Sequence, residues 1–128
     1  MDELRVLIVD DSSVMRKIVE RALRQAGLGG LVVHEAGSGT DGLDLLRKTK
    51  VDLILSDINM PSMDGLEFVR QLRSRELAPG VPVVMITTES SEEHVKQAIL
   101  AGAHGYIRKP FTADQVKARV LSLLNRSL

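Results

Sequence analysis

The apolar positions of this chain change spacing repeatedly along its length. Val6-Leu7-Ile8-Val9 is a short continuous apolar run, the pattern of a strand covered on both faces. Val14, Met15, Ile18, Val19, Ala22, Leu23 and Ala26 then recur at helical spacing, with Ser12 or Ser13 as the cap and Gly27 as the stop. Leu31-Val32-Val33 predicts a weaker strand. Leu43, Leu45 and Leu46 predict a short helix that starts near Ser38 or Thr40. Val51 to Leu55 predicts a third buried strand, followed by a loop from Asp57 to Asp64. Asp64, with Glu67 three residues on, has the form of a capping box and opens a helix carrying Leu66, Val69 and Leu72. Pro79-Gly80 breaks the chain before a fourth strand from Val81 to Ile86. A helix from Glu92 to Ala101 stops at Gly102, and a short fifth strand runs from Gly105 to Ile107. Thr112 caps a last helix with Val116, Val120, Leu121 and Leu124 on one face.

Five strands alternating with five helices predict an α/β fold, a five-stranded parallel sheet doubly wound with helices on both faces. Right-handed crossovers leave few topologies. The flavodoxin-like strand order 2-1-3-4-5 is taken by analogy, since the pattern alone does not dictate it. Ligands of such sheets sit outside the carboxyl ends of the strands, where the order reverses. The pattern uses nearly the whole chain and shows no repeat, linker or low-complexity segment, so residues 1–128 are expected to form one domain.

Composition narrows the setting. The 128 residues are 44% hydrophobic and 27% charged, as in soluble globular chains. The 17 basic and 17 acidic residues cancel, which gives no general pull toward nucleic acid or an anionic membrane. No cysteine is present, which excludes disulfides and thiolate metal sites. The acidic start Met1-Asp2-Glu3 lacks the basic and apolar segments of a signal peptide, and no apolar run nears the roughly 20 residues of a membrane span. The expectation is a cytoplasmic protein that binds neither nucleic acid nor membrane.

Chemistry enters at the carboxyl ends of the strands. The first ends at Asp10-Asp11, the third at Ser56-Asp57, the fourth at Thr87-Thr88, and the fifth runs into Lys109-Pro110. With the first and third strands adjacent, Asp10, Asp11 and Asp57 meet at one edge, and Thr87 and Lys109 line the other side. Crowded carboxylates raise one another's pKa and call for a cation. An all-oxygen ligand set suits a hard ion, and magnesium, which keeps waters and binds through few carboxylates, leaves room for a phosphoryl group. Lys109 can offset phosphate charge, the Thr87 hydroxyl can donate a hydrogen bond, and an Asp can itself be the nucleophile. Spacing alone does not say which Asp attacks.

The segments carrying these residues are Val6 to Ser13, Asp57-Ile-Asn-Met-Pro-Ser-Met-Asp-Gly65, Val84-Met-Ile-Thr-Thr88 and Ala101 to Phe111. Together, in this order, they resemble the receiver family of two-component response regulators, most closely its single-domain chemotaxis (CheY-like) type. That family also supplies a known example of the 2-1-3-4-5 order. The resemblance implies that Asp57 accepts the phosphoryl group. It implies that Asp11 and Asp57 ligate Mg2+ directly, Asp10 mainly through water, and that the backbone carbonyl of Asn59 completes the protein's share. Lys109 would contact the phosphoryl group through a loop whose Lys109–Pro110 peptide is cis. Thr87 would move toward the phosphate, with Tyr106 changing rotamer in step, whereas Tyr106 taken alone reads as a packing residue. Asn59, Thr88 and Glu89 stand where the family tunes its rates, and Thr88 is bulkier than the residue many relatives carry.

The implied partners are a sensor histidine kinase or a histidine phosphotransfer domain upstream. Downstream, a protein would bind the face made by helix 91–101, strand 105–108 and helix 112–126. A flagellar motor switch protein and a phosphorelay acceptor both remain open as that target. A monomer is expected, and because the chain ends after the fifth helix the signal is expected to leave by binding another protein. His34, His94 and His104 lack ligand spacing and read as surface or packing residues. Lys17, Arg21 and Arg24 form a basic stripe that reads mainly as a solvated face. A magnesium-dependent phosphatase competes as a reading, but Asn59 stands where a leaving-group acid would follow Asp57. A nucleotide-binding fold lacks its glycine-rich motifs.

Overall fold

The computed structural model describes residues 3–28, 30–88 and 92–127, and the side chains of these up to residue 124. The elements alternate as β1 (Glu3–Val9), α1 (Ser13–Gln25), β2 (Gly30–Ala36), α2 (Gly39–Lys48), β3 (Leu53–Asp57), α3 (Gly65–Ser74), β4 (Val83–Thr87), α4 (Glu92–Ala101), β5 (Gly105–Arg108) and α5 (Ala113–Ser127). The strands form one sheet in the order β2-β1-β3-β4-β5, and every pair is parallel. The expected fold class and strand order are therefore observed.

Alternation along each strand sends successive side chains to opposite faces of the sheet. Leu7, Val9, Ile54 and Met85 enter one core, closed by α2, α3 and α4 through Leu43, Phe68 and Ala98. Leu4, Val6, Ile8, Leu53 and Leu55 enter the other, closed by α1 and α5 through Val19, Leu23, Val116 and Val120. Every residue of β3 and β4 is buried, as continuous apolar runs require when both faces are covered.

Helix ends follow local chemistry. Ser12, not Ser13, caps α1, its hydroxyl accepting from the Met15 N–H. Ser38 caps α2 by accepting from the Asp41 N–H. Asp64 accepts from the Glu67 N–H, but the Glu67 carboxylate turns instead to the Gln71 amide, so only half of the expected box forms. The complete box is at α5, where the Thr112 hydroxyl accepts from the Gln115 N–H and the Gln115 side chain accepts from the Thr112 N–H. Strands β3 and β4 begin two residues later than the apolar runs do and end one or two residues later. Val51 packs in the core from outside the strand, and Asp52 uses its carboxylate to accept from the Arg5 N–H. The later ends carry Asp57 and Thr87 inside the sheet ladder.

Candidate functional site

The register explains why three distant acids meet. Val9 of β1 lies opposite Ser56 of β3, so the next residues, Asp10 and Asp57, emerge side by side where the strand order reverses. Asp11 follows at once. Carboxylate oxygens of Asp10, Asp11 and Asp57 all lie within 4.8 Å of one another. On the far side, Thr87 pairs with Arg108, and the Lys109 N–H donates to the Thr87 carbonyl at 2.8 Å. That bond starts the turn that brings Lys109 over the site. Lys109 Nζ stands 3.4 Å from Asp57 Oδ1 and 3.7 Å from Asp10 Oδ2. The Lys109–Pro110 peptide is cis.

Burial divides the trio. Asp10 is 4% exposed and Asp57 8%, whereas Asp11 is exposed. Burial pushes the Asp10 carboxyl above its ordinary pKa, and Asp57 and Asp11 push the same way. The Ser12 N–H, donating to Asp10 Oδ1 at 2.9 Å, and the Lys109 ammonium pull it back. The acids thus carry more negative charge than one lysine offsets. An all-oxygen donor set with excess charge fits a hard divalent cation. Among the described residues, this trio is the group of acids that meets the geometry for holding a metal.

Thr87 is fully buried at the end of β4, beside the site. Thr88, just beyond it, and Asn59, two residues past Asp57, are both exposed. Tyr106 lies on β5, with its ring against the α3/α4 core and its hydroxyl turned away from solvent. Glu89 lies outside the described residues. Gly65 supports the site from beneath. Its N–H donates to the Ile58 carbonyl at 2.7 Å, and a Cβ there would fall on the Asp57 carbonyl oxygen and within 2.7 Å of Ile58 Cα.

Sequence reasoning missed one contact beside this centre, at Arg16, and one away from it at the amino end of β4, at His104. Arg16 donates to the Asp10 carbonyl, and His104 Nδ1 accepts from the Val83 N–H at 3.2 Å. Neither has a local signal, since the Arg16 partner is a backbone carbonyl and the His104 partner is brought in by the sheet. Lys17 and Arg24 of the basic stripe are engaged in ion pairs with Glu20 and, for Lys17, Glu35.

A parallel sheet whose switch point gathers three aspartates under a lysine defines a class, the receiver domain of response regulators. Residues 6–121 match the response regulator receiver domain family, and the chain belongs to it. It is 39% identical to Chemotaxis protein CheY-3 of Vibrio cholerae serotype O1, across 96% of this chain and 93% of that protein. Identity to Chemotaxis protein CheY of Pseudomonas aeruginosa is 37%, across 96% of this chain and 98% of that protein. The solved structure of chemotaxis response regulator CheY4 of Vibrio cholerae superposes with a TM-score of 0.81 at 36% identity, covering 98% of this chain and 99% of that one. The chain is therefore a CheY-like signalling receiver.

Proposed function

We propose that residues 1–128 act as one phosphorylation-activated switch that accepts a phosphoryl group on Asp57 in a magnesium-dependent reaction. The observation that carries this reading is the convergence of Asp10, Asp11 and Asp57 with Lys109 Nζ 3.4 Å from Asp57. Asp11 and Asp57 would hold Mg2+, with Asp10 mainly through water and the Asn59 carbonyl completing the protein's share. The ion supplies charge neutralisation for the phosphoryl oxygens.

The Asp57 carboxylate attacks phosphorus, a P–O bond forms, and the bond to the donor nitrogen of a phosphohistidine breaks. Lys109 exchanges its carboxylate partners for phosphoryl oxygens. The Thr87 hydroxyl donates to another of them, and Tyr106 follows that movement on the adjoining strand. Thr88 borders the approach of donors and water, Asn59 and Glu89 act as rate-tuning positions, and hydrolysis of the acyl phosphate resets the switch. The chain thereby catalyses its own phosphorylation and dephosphorylation without turning over a free substrate.

A histidine kinase or histidine phosphotransfer domain supplies the phosphoryl group. The target binds the α4, β5 and α5 face, as a cytoplasmic monomer would present it. Two features support that face. Ile99 and Leu100 of α4 are 60% and 78% exposed, and an open groove of about 690 Å³ runs along Tyr106, Arg108, Gln115 and Arg119. The chemotaxis relatives make a flagellar motor switch protein the first target to try, ahead of a phosphorelay acceptor. No described helix is long and apolar enough to cross a membrane.

Intact mass after incubation with acetyl phosphate tests the chemistry. One added phosphoryl group that requires both Mg2+ and Asp57 is expected, and Asp57→Ala should gain none. If beryllium fluoride also fails to shift the Asp57, Thr87 and Lys109 amides, the switch reading is wrong.

A further inference from the structure

We propose that Arg16 is a positioning residue for the metal site, locking the peptide that joins Asp10 to Asp11. The proposal rests on the metal-dependent reading above. Besides its ion pair with Lys109, Asp10 is held by three hydrogen bonds. Its N–H donates to the Ala36 carbonyl at 3.1 Å, its carboxylate accepts from the Ser12 N–H, and its own carbonyl accepts from Arg16 Nη1 at 2.6 Å. That carbonyl belongs to the peptide leading into Asp11, so fixing its plane fixes where the Asp11 carboxylate starts.

Arg16 is itself clamped. Its Nε donates to Glu35 Oε1 at 2.9 Å, and Lys17 Nζ holds the other Glu35 oxygen at 2.7 Å. Hydrogen bonds from Lys17 and then Arg16 keep the Glu35 carboxyl below its ordinary pKa. Arg16 lies in the first turns of α1, from where a long side chain points back over the preceding loop. Only 18% of its side chain is exposed, so the fork is held in place by packing as well as by hydrogen bonds.

Two nitrogens of one planar guanidinium thus tie the end of β1 to β2. Glu35 is shared between Arg16 and Lys17, so the positive charge of Arg16 is only partly offset and would oppose a cation, and the gain proposed for Arg16 comes from the geometry of the Asp10 carbonyl. A lysine keeps the charge but lacks the rigid fork that reaches both partners. Outer partners of this kind commonly change metal affinity by about ten- to a hundredfold when lost.

The test is Mg2+ titration of the full chain, followed by the NMR shifts of the amides of residues 10–13, with urea unfolding confirming that each variant is folded. Arg16→Gln and Arg16→Lys should both weaken Mg2+ binding about tenfold or more. Glu35→Gln, which releases the clamp, should weaken it in the same direction by less. In metal-free buffer the Ser12 amide should exchange faster in both Arg16 variants. Wild-type binding with Arg16→Gln within twofold of it would overturn the role of Arg16 alone. Full affinity in Arg16→Lys with loss in Arg16→Gln would also overturn it, because charge would then be the agent. No Mg2+ binding by the wild-type chain would overturn the metal site and this role together. Should Arg16→Gln fail to fold, the Arg16→Lys and Glu35→Gln constants decide.

Discussion

Asp10 carries the cost of the site. Its carboxylate is almost fully buried, faces two other acids, and has a raised pKa whose largest cause is burial. A raised carboxyl pKa means that the folded state disfavours the ionised form, so at neutral pH the group subtracts from stability. Asp10→Asn keeps an oxygen to accept the Ser12 N–H and removes the charge. We expect it to raise unfolding stability by about 1 kcal/mol in metal-free buffer, read from urea melts, while weakening Mg2+ binding. A stability equal to or below wild type would show that the acids are not in conflict. Gly65 shows the reverse dependence. A methyl group there meets the Asp57 carbonyl and Ile58 Cα, both backbone, so the strand end must move. Gly65→Ala should cost about 3 kcal/mol or more and slow phosphorylation of Asp57. An unchanged urea midpoint would contradict the packing.

Helix termini show what a sequence discloses and what it hides. Among the described residues, three helices end on a left-handed residue: Gly27 after α1, Gly102 after α4 and Glu76 after α3, with φ of 69°, 115° and 53°. After α3 the Leu77 N–H donates to the Leu72 carbonyl and the Glu76 N–H to the Arg73 carbonyl, and after α4 Ala103 and Gly102 repeat that pair of bonds. The glycines announced two of these stops. Glu76 announced nothing, because nothing in a glutamate signals positive φ. Glu76→Gly should therefore stabilise the chain by about 1 kcal/mol, and a loss in the urea midpoint would refute the motif. The five-strand pattern, the acids and Lys109 were legible because each rests on local periodicity or on residue type at a strand end. Arg16 and His104 were not, because Arg16 meets a backbone carbonyl, which no residue type announces, and His104 meets Val83, 21 residues away on the neighbouring strand. His104 yields a pH prediction. Its Nδ1 must be unprotonated to accept from Val83, and burial, with Arg73 nearby, lowers its pKa below the ordinary 6.5. Between the folded pKa and 6.5 the unfolded chain binds more protons, so stability falls as pH drops through that window. His104→Asn keeps an acceptor without titrating. The difference between the two urea-midpoint curves should open below pH 6.5, and parallel curves would exclude the linkage.

At the scale of the molecule the sheet is the device that makes a site out of separate segments. Asp10 and Asp57 are neighbours only because Val9 pairs with Ser56, and Lys109 reaches them only because Thr87 pairs with Arg108. The unfolded chain keeps no such trio, so a cation that needs all three acids binds the folded state alone. Binding of that kind stabilises by mass action, about 2.7 kcal/mol when free Mg2+ is a hundredfold above its dissociation constant. For a chain of 128 residues this corresponds to a rise in Tm of about 10 °C. The rise should scale with the logarithm of Mg2+ concentration, and Asp57→Asn, which removes one proposed ligand and one of the two carboxylate partners of Lys109, should flatten it. Thermal melts over a range of Mg2+ concentrations at constant ionic strength would measure it. The constant ionic strength matters because exposed pairs such as Lys17–Glu35 respond to salt as well. A Tm that rises equally in wild type and Asp57→Asn would locate the stabilising ion elsewhere on the surface. A rise confined to wild type would tie the stability of the whole sheet to the acids at its switch point.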